Sequence, residues 1–196
     1  MINKATLKDT SLITNILTDS FKGNKSIINV TRKGPNQLKR INSLMKFFFL
    51  NAFYHGDTFL SADRKACLLM LRSDEKRKKS ISVKLNLFLW NINLFFNVLG
   101  VKNVRNVLQR EKAINKNHPK EKFLHLYYVG VFREHQGKGI GTKLIKQAIN
   151  YYQGYSIVYL ETSDKRNILL YEKLGFELVN THDELEITLY IMKKKI

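Results

Sequence analysis

An unbroken apolar run, KFLHLYYVGVF over residues 122–132, leads directly into REHQGKGIGTKL over 133–144. The first stretch has no polar side to offer to water, so it reads as a central strand covered on both faces. The second sets glycine at 137, 139 and 141 and then opens a helical spacing through Ile140, Leu144, Ile145, Ala148, Ile149 and Tyr152, ended by Gly154. A doubly covered strand feeding a one-faced helix fits a mixed α/β fold.

The rest of the chain agrees. SIVYLET (156–162) is a second buried strand, NILLYEKL (167–174) a short helix closed by Gly175, and FELVN and LEITLYIM two final strands. Toward the N-terminus, residues 1–7 read as a strand, and 9–21 as a helix with Leu12, Ile13, Ile16, Leu17 and Phe21 on one side. The polar stretch 22–37, with Gly34-Pro35, reads as a loop or arm, and helical spacing resumes over 38–55. Strands at 58–62 and 66–71 follow, joined by Asp63-Arg64-Lys65, then helices at about 85–99 and 101–116. The expected fold is mixed α/β (α+β), one domain over 1–196, with a helical insertion at 74–118 between the early strands and the strand at 122–132. No internal repeat is visible.

At 196 residues and 44% apolar content the chain can bury a substantial core. One cysteine, Cys67, rules out an intramolecular disulfide and a multi-cysteine zinc site, and reads as a small core residue. No metal is expected. LNLFLWNINLFFNVL (85–99) is too short to span a bilayer, and Asn86, Asn93 and Asn97 draw one polar stripe down it. MINKATLKDTSL lacks the apolar core of a secretory signal, so a cytoplasmic location is expected. The net charge of +18 sits mostly before residue 111, with no acid between Phe21 and Gly56. Such a field draws anions, nucleic acid among them, and disfavours a polycationic partner. The same excess also fits solvated surface charge.

The glycine stretch carries the clearest chemistry. Glycine reaches backbone conformations closed to other residues and lets a ligand come close. The first amides of a helix lack internal partners, and the helix dipole adds positive character there. Together they make a phosphate cradle, which Lys138 and Lys143 would strengthen. A tight strand-to-helix turn is the plainer alternative. A dinucleotide fingerprint would need glycine where Thr142 stands, and a Walker loop would need a different spacing.

Gln136-Gly137-Lys138-Gly139-Ile140-Gly141 resembles the Q/R-x-x-G-x-G/A loop of the GNAT superfamily of acetyl-CoA-dependent N-acetyltransferases. YYVGVF resembles that family's central strand, and YEKLGFELV (171–179) its C-terminal helix-to-strand signature. Within 118–180 the pattern is most similar to the puromycin N-acetyltransferase-like branch. The resemblance implies a V-splayed central sheet flanked by helices, with acetyl-CoA between the strands at 123–132 and 156–162. Backbone groups of Val129 and Val131 would pair with the pantetheine arm. The loop Gln136, Gly137, Lys138, Gly139, Ile140, Gly141 and Thr142 would hold the pyrophosphate.

Tyr171 stands where the family often has its general acid, a role that suits a phenol protonated at neutral pH; a packed helix tyrosine is the alternative. Many relatives carry Asn seven residues before that tyrosine, where this chain has Asp164. Asn167, four residues before it as in the puromycin-type branch, shares its helix face and is a candidate cofactor contact, with a plain N-terminal helix residue as the alternative. Glu161 is the foremost candidate base, with His125 and Glu121 behind it.

The implied reaction is direct attack of an amine on the thioester in a ternary complex. The acceptor is expected to be small and neutral or hydrophobic, and a homodimer is possible. Acetylation of a protein or peptide amine, a basic nucleic-acid-associated protein, and an acyl-CoA-binding protein without catalysis are the other readings.

Overall fold

The computed structural model describes residues 2–74, 94–99 and 101–196. Seven strands form one sheet: β1 (Ile2–Lys4), β2 (Gly56–Ser61), β3 (Ala66–Arg72), β4 (Phe123–Val131), β5 (Ile157–Thr162), β6 (Glu177–His182) and β7 (Leu189–Lys195). Their order is β1-β2-β3-β4-β5-β7-β6. All neighbours run antiparallel except β4 and β5, which are parallel. The helices are α1 (Thr10–Phe21), α2 (Lys25–Val30), α3 (Gln37–His55), a π-helical turn (Leu94–Leu99), α4 (Val101–Lys116), α5 (Ile140–Tyr151) and α6 (Arg166–Glu172).

The sheet separates two apolar layers, as the doubly apolar β4 requires. On one face Leu144, Ile145, Ala148 and Ile149 of α5 pack against Leu68, Met70, Leu124, Leu126, Val158 and Leu160. On the other, Ile13, Ile16 and Leu17 of α1 and Ile41, Leu44, Met45 and Phe49 of α3 cover Leu60, Cys67 and Leu69. Cys67 is fully buried, and burial pushes its thiol pKa well up, so it is a core residue.

Four boundaries depart from the sequence reading. The stretch 22–37 contains α2, whose start is capped by Asn24 accepting from the Ile27 amide at 3.2 Å. One cap and one buried Ile27 suffice for a helix too short to show a period. β1 stops at Lys4 because Thr6 turns the chain, its amide donating to Asp9 Oδ2 at 2.9 Å. The last two strands lie further on than expected. β7 runs to Lys195 because it pairs with β5 from Thr162↔Tyr190 to Ile157↔Lys195, a ladder no local pattern encodes. Of the helical insertion expected over 74–118, the π-helical turn and α4 are described. Most of the helix expected at 85–99, with Asn86 and Asn93, lies outside the described residues.

Asp57 on β2 is a buried charge of this sheet, 6% exposed. Lys4 Nζ lies 2.8 Å from it, and the Tyr152 hydroxyl donates to it at 2.9 Å. Burial pushes its carboxyl upward, but these bonds outweigh burial and hold it below the usual carboxylate range. Its contribution to stability is therefore present above the ordinary carboxylate pKa and lost as pH falls through the depressed folded value. Thermal melts of the native protein and Asp57→Asn should differ most at neutral pH and converge toward pH 3.

Candidate active site

β4 and β5 hydrogen-bond only from Phe123↔Ile157 to His125↔Tyr159, after which they part. A bulge sits at the parting point: Met70 of β3 faces Leu126 while Leu69 faces Tyr128, which leaves Tyr127 as an extra residue. A bulge bends and twists its strand and shifts side-chain alternation by one. Accordingly Tyr127 and Tyr128 both face the α1/α3 layer, where Phe48 stacks on Tyr128 at 4.5 Å. Val129 and Val131 return to the α5 side.

The gap opens into a cavity of about 1270 Å³. Val129 and Val131 line one wall, Asn167, Leu170 and Tyr171 of α6 another, and Gly137, Gly139, Ile140, Gly141 and Thr142 its floor. Gly137 and Gly139 have φ of +77° and +74°, left-handed backbone that aims the loop's amides outward where an ordinary residue would be strained. Gly139 precedes the first turn of α5, whose amides at Ile140, Gly141 and Thr142 have no helical acceptor. These groups fit a pyrophosphate.

Not every expected side chain points inward. Gln136 lines the cavity while its side-chain amide donates to the Val131 carbonyl at 3.0 Å and so braces the loop. Lys138 bonds the Glu134 carbonyl at 3.1 Å and does not line the cavity. The Val131 amide donates to Ser20 Oγ at 3.4 Å, a long bond that a pantetheine arm on that amide would replace. Asn167 lines the cavity and donates to Thr162 Oγ1 at 3.2 Å. Asp164, two residues before α6, accepts from the Arg166 amide and guanidinium at 3.0 and 2.7 Å.

Tyr171 is half-buried on α6. Burial, and secondarily the Glu161 charge, push its phenol to about 12, so it stays a proton donor through the physiological range. Glu161 lies beyond the cavity lining, on the opposite face of β5 from Leu160. There its Oε2 sits 2.7 Å from His125 Nε2, the side chains 8% and 7% exposed. The two foremost base candidates are therefore a single hydrogen-bonded unit. Glu121 is exposed before β4 and joins neither group.

Sequence reasoning missed the wall opposite the glycine loop. Ser20, Phe21, Gly23, Asn24 and Lys25, from the α1–α2 junction, complete the cavity. Arg133 ties that junction to β4, its amide donating to Asp19 Oδ2 at 2.7 Å and its Nε to the Asp19 carbonyl at 2.9 Å. These partners lie over a hundred residues apart, and no local motif marks them.

The acetyltransferase (GNAT) family matches residues 102–176, which hold β4, the glycine loop, α5, β5 and α6. The chain is accordingly an acyltransferase of the N-acetyltransferase class. Solved structures extend the likeness of fold to the whole chain. The histone acetyltransferase HPA2 and related acetyltransferase of Corynebacterium glutamicum ATCC 13032 superposes with a TM-score of 0.72 at 17% identity, over 99% of this chain and 94% of that one. The polyamine N-acetyltransferase of Drosophila melanogaster gives 0.63 at 13% identity, over 100% and 99%. Arylalkylamine N-acetyltransferase 2 of Aedes aegypti gives 0.61 at 16%, over 100% and 98%.

Gly154, at the far end of α5, has the same φ of +74° as Gly139 and equally open surroundings. Gly139→Ala and Gly154→Ala should each cost roughly 1–2 kcal/mol of stability. Only Gly139→Ala should also weaken acetyl-CoA binding, as measured by calorimetric titration.

Proposed function

We propose that this chain is an acetyl-CoA-dependent N-acetyltransferase that acetylates a small primary amine by direct attack within a ternary complex. The reading rests on one juxtaposition: left-handed glycines at the start of α5 face, across the parted β4 and β5, a tyrosine held protonated. In this reading the amides from Gly137 to Thr142 hold the pyrophosphate. Backbone groups at Val129 and Val131 hold the pantetheine arm, and Asn167 contacts the cofactor. The spacing of Asn167 and Tyr171 supports a kinship with the puromycin N-acetyltransferase-like branch.

The amine arrives as an ammonium and becomes a nucleophile only after losing a proton. The Glu161–His125 pair accepts it, through water where the acceptor stands off. The nitrogen attacks the thioester carbonyl, the carbon–sulfur bond breaks, and the Tyr171 phenol protonates the departing thiolate. Tyr171 recovers a proton from the nitrogen, so each turnover releases one net proton. Positioning and preorganised backbone donors supply most of the acceleration. The aromatic surface of Phe48, Tyr127 and Tyr128 beside His125 suits an acceptor with an apolar body. Relatives of this fold named for polyamines and arylalkylamines lend support to a small amine.

Acetyl-CoA at about 100 times its dissociation constant should stabilise the fold by roughly 2.7 kcal/mol. The rise in melting temperature should persist at high salt and exceed that given by ADP. Amine-dependent thiol release should then appear in a panel of small amines, and Tyr171→Phe should lower kcat by about 10²-fold or more. A rise that ADP reproduces and salt abolishes would overturn the reading.

A further inference from the structure

The reaction proposed above releases one proton per turnover, yet the group that first accepts it is closed off. Glu161 and His125 bond at 2.7 Å with 8% and 7% of their side chains exposed. Beside them, at the end of α4, stands a second imidazole that the mechanism does not use. The His118 ring lies 5.8 Å from the His125 ring, centroid to centroid, and edge-on to Tyr159 at 5.2 Å. Its Nε2 is buried with no hydrogen-bond partner among the described residues, while the residue as a whole is only partly buried. A buried polar nitrogen without a partner is costly and calls for an explanation.

We infer that His118 is the proton exit of this enzyme, taking the proton of the acceptor amine from the Glu161–His125 pair and passing it to solvent. The inference rests on the acetyltransferase reading. The proton leaves the ammonium nitrogen for the pair, crosses from His125 to the unpartnered face of His118 by imidazole reorientation or one water, and departs from the exposed side. No bond other than N–H and O–H changes. His118 acts through His125 and touches no substrate, so it is a positioning residue.

The surroundings favour passage over retention. Burial holds His118 below the usual imidazole range, and the neighbouring His125 adds to this while Glu161 opposes it. Lys193 on β7 also faces the ring and disfavours a lasting charge. Tyr159 on β5 is kept protonated by burial, its hydroxyl donating to the Ile114 carbonyl. From α4, Arg110 and Glu111 bear on the same group of charges. The Glu111 carboxyl is raised by burial and by Glu161.

The test compares native protein, His118→Gln and His118→Asn in turnover of the best amine of the panel. The assay runs across pH 6–9 in rising concentrations of imidazole buffer at constant ionic strength. Native kcat should not depend on buffer concentration. The variants should lose about tenfold or more in kcat near pH 7, part of the 10²–10⁴-fold typical of positioned proton transfer. Their KM for acetyl-CoA should be unchanged, and imidazole should restore kcat in proportion to its concentration. Folded variants with native kcat, or with a loss that imidazole does not restore, would overturn the exit. Should neither variant fold, the native protein decides: buffer-independent kcat supports an internal exit, and buffer-dependent kcat overturns it. Failure of the native protein to acetylate any amine would overturn the parent reading instead.

Discussion

The parting of β4 from β5 after His125 is the constraint on which the rest of the molecule depends. Parallel strands bonded along their whole length would leave no place for a ligand between them. Here the ladder ends after three residue pairs, and the bulge at Tyr127 turns β4 away while β3 continues to pair with it. The freed edge of β4 needs partners for its backbone groups. Ser20 and the Gln136 side chain meet those of Val131, and an extended substrate arm would meet others. The same bulge puts Tyr127 and Tyr128 on one face and sends Val129 and Val131 to the other, so one extra residue shapes both sides of the gap.

Charge is distributed to match. The basic excess that sequence alone leaves unassigned contributes Lys25, Arg133, Lys165 and Arg166 to the walls of the main cavity, where a polyanionic substrate would sit. The opposite face of β4 and β5 holds the hydrogen-bonded Glu161–His125 pair. The cavity and the Glu161–His125 pair thus occupy two electrostatic environments on either side of one split sheet.

Much of this was legible in the chain itself. The apolar run over 122–132 announced a doubly covered strand, and the glycines at 137, 139 and 141 announced a helix start reached through backbone closed to other residues. Both outcomes follow from local rules: side-chain periodicity and the conformational freedom of glycine. The reading went astray where local rules do not reach. The stretch 22–37 looked like an arm because a six-residue helix held by Asn24 and Ile27 is too short to display a period. The last strand was placed too early because three lysines do not look like strand interior, yet the ladder to β5 carries them.

By itself the sequence determined the kind of layers the chain would form, the position of the glycine turn before α5 and the tyrosine on α6. Each of these depends on residues adjacent in the chain. Only the tertiary structure decided that Glu161 and His125, weighed separately as bases, are one hydrogen-bonded pair. It also decided that Gln136 braces the loop, that the α1–α2 junction closes the cavity, and that His118 stands against His125. These juxtapositions arise from strand register and helix packing between segments far apart in the chain, and no residue's neighbours in sequence encode them.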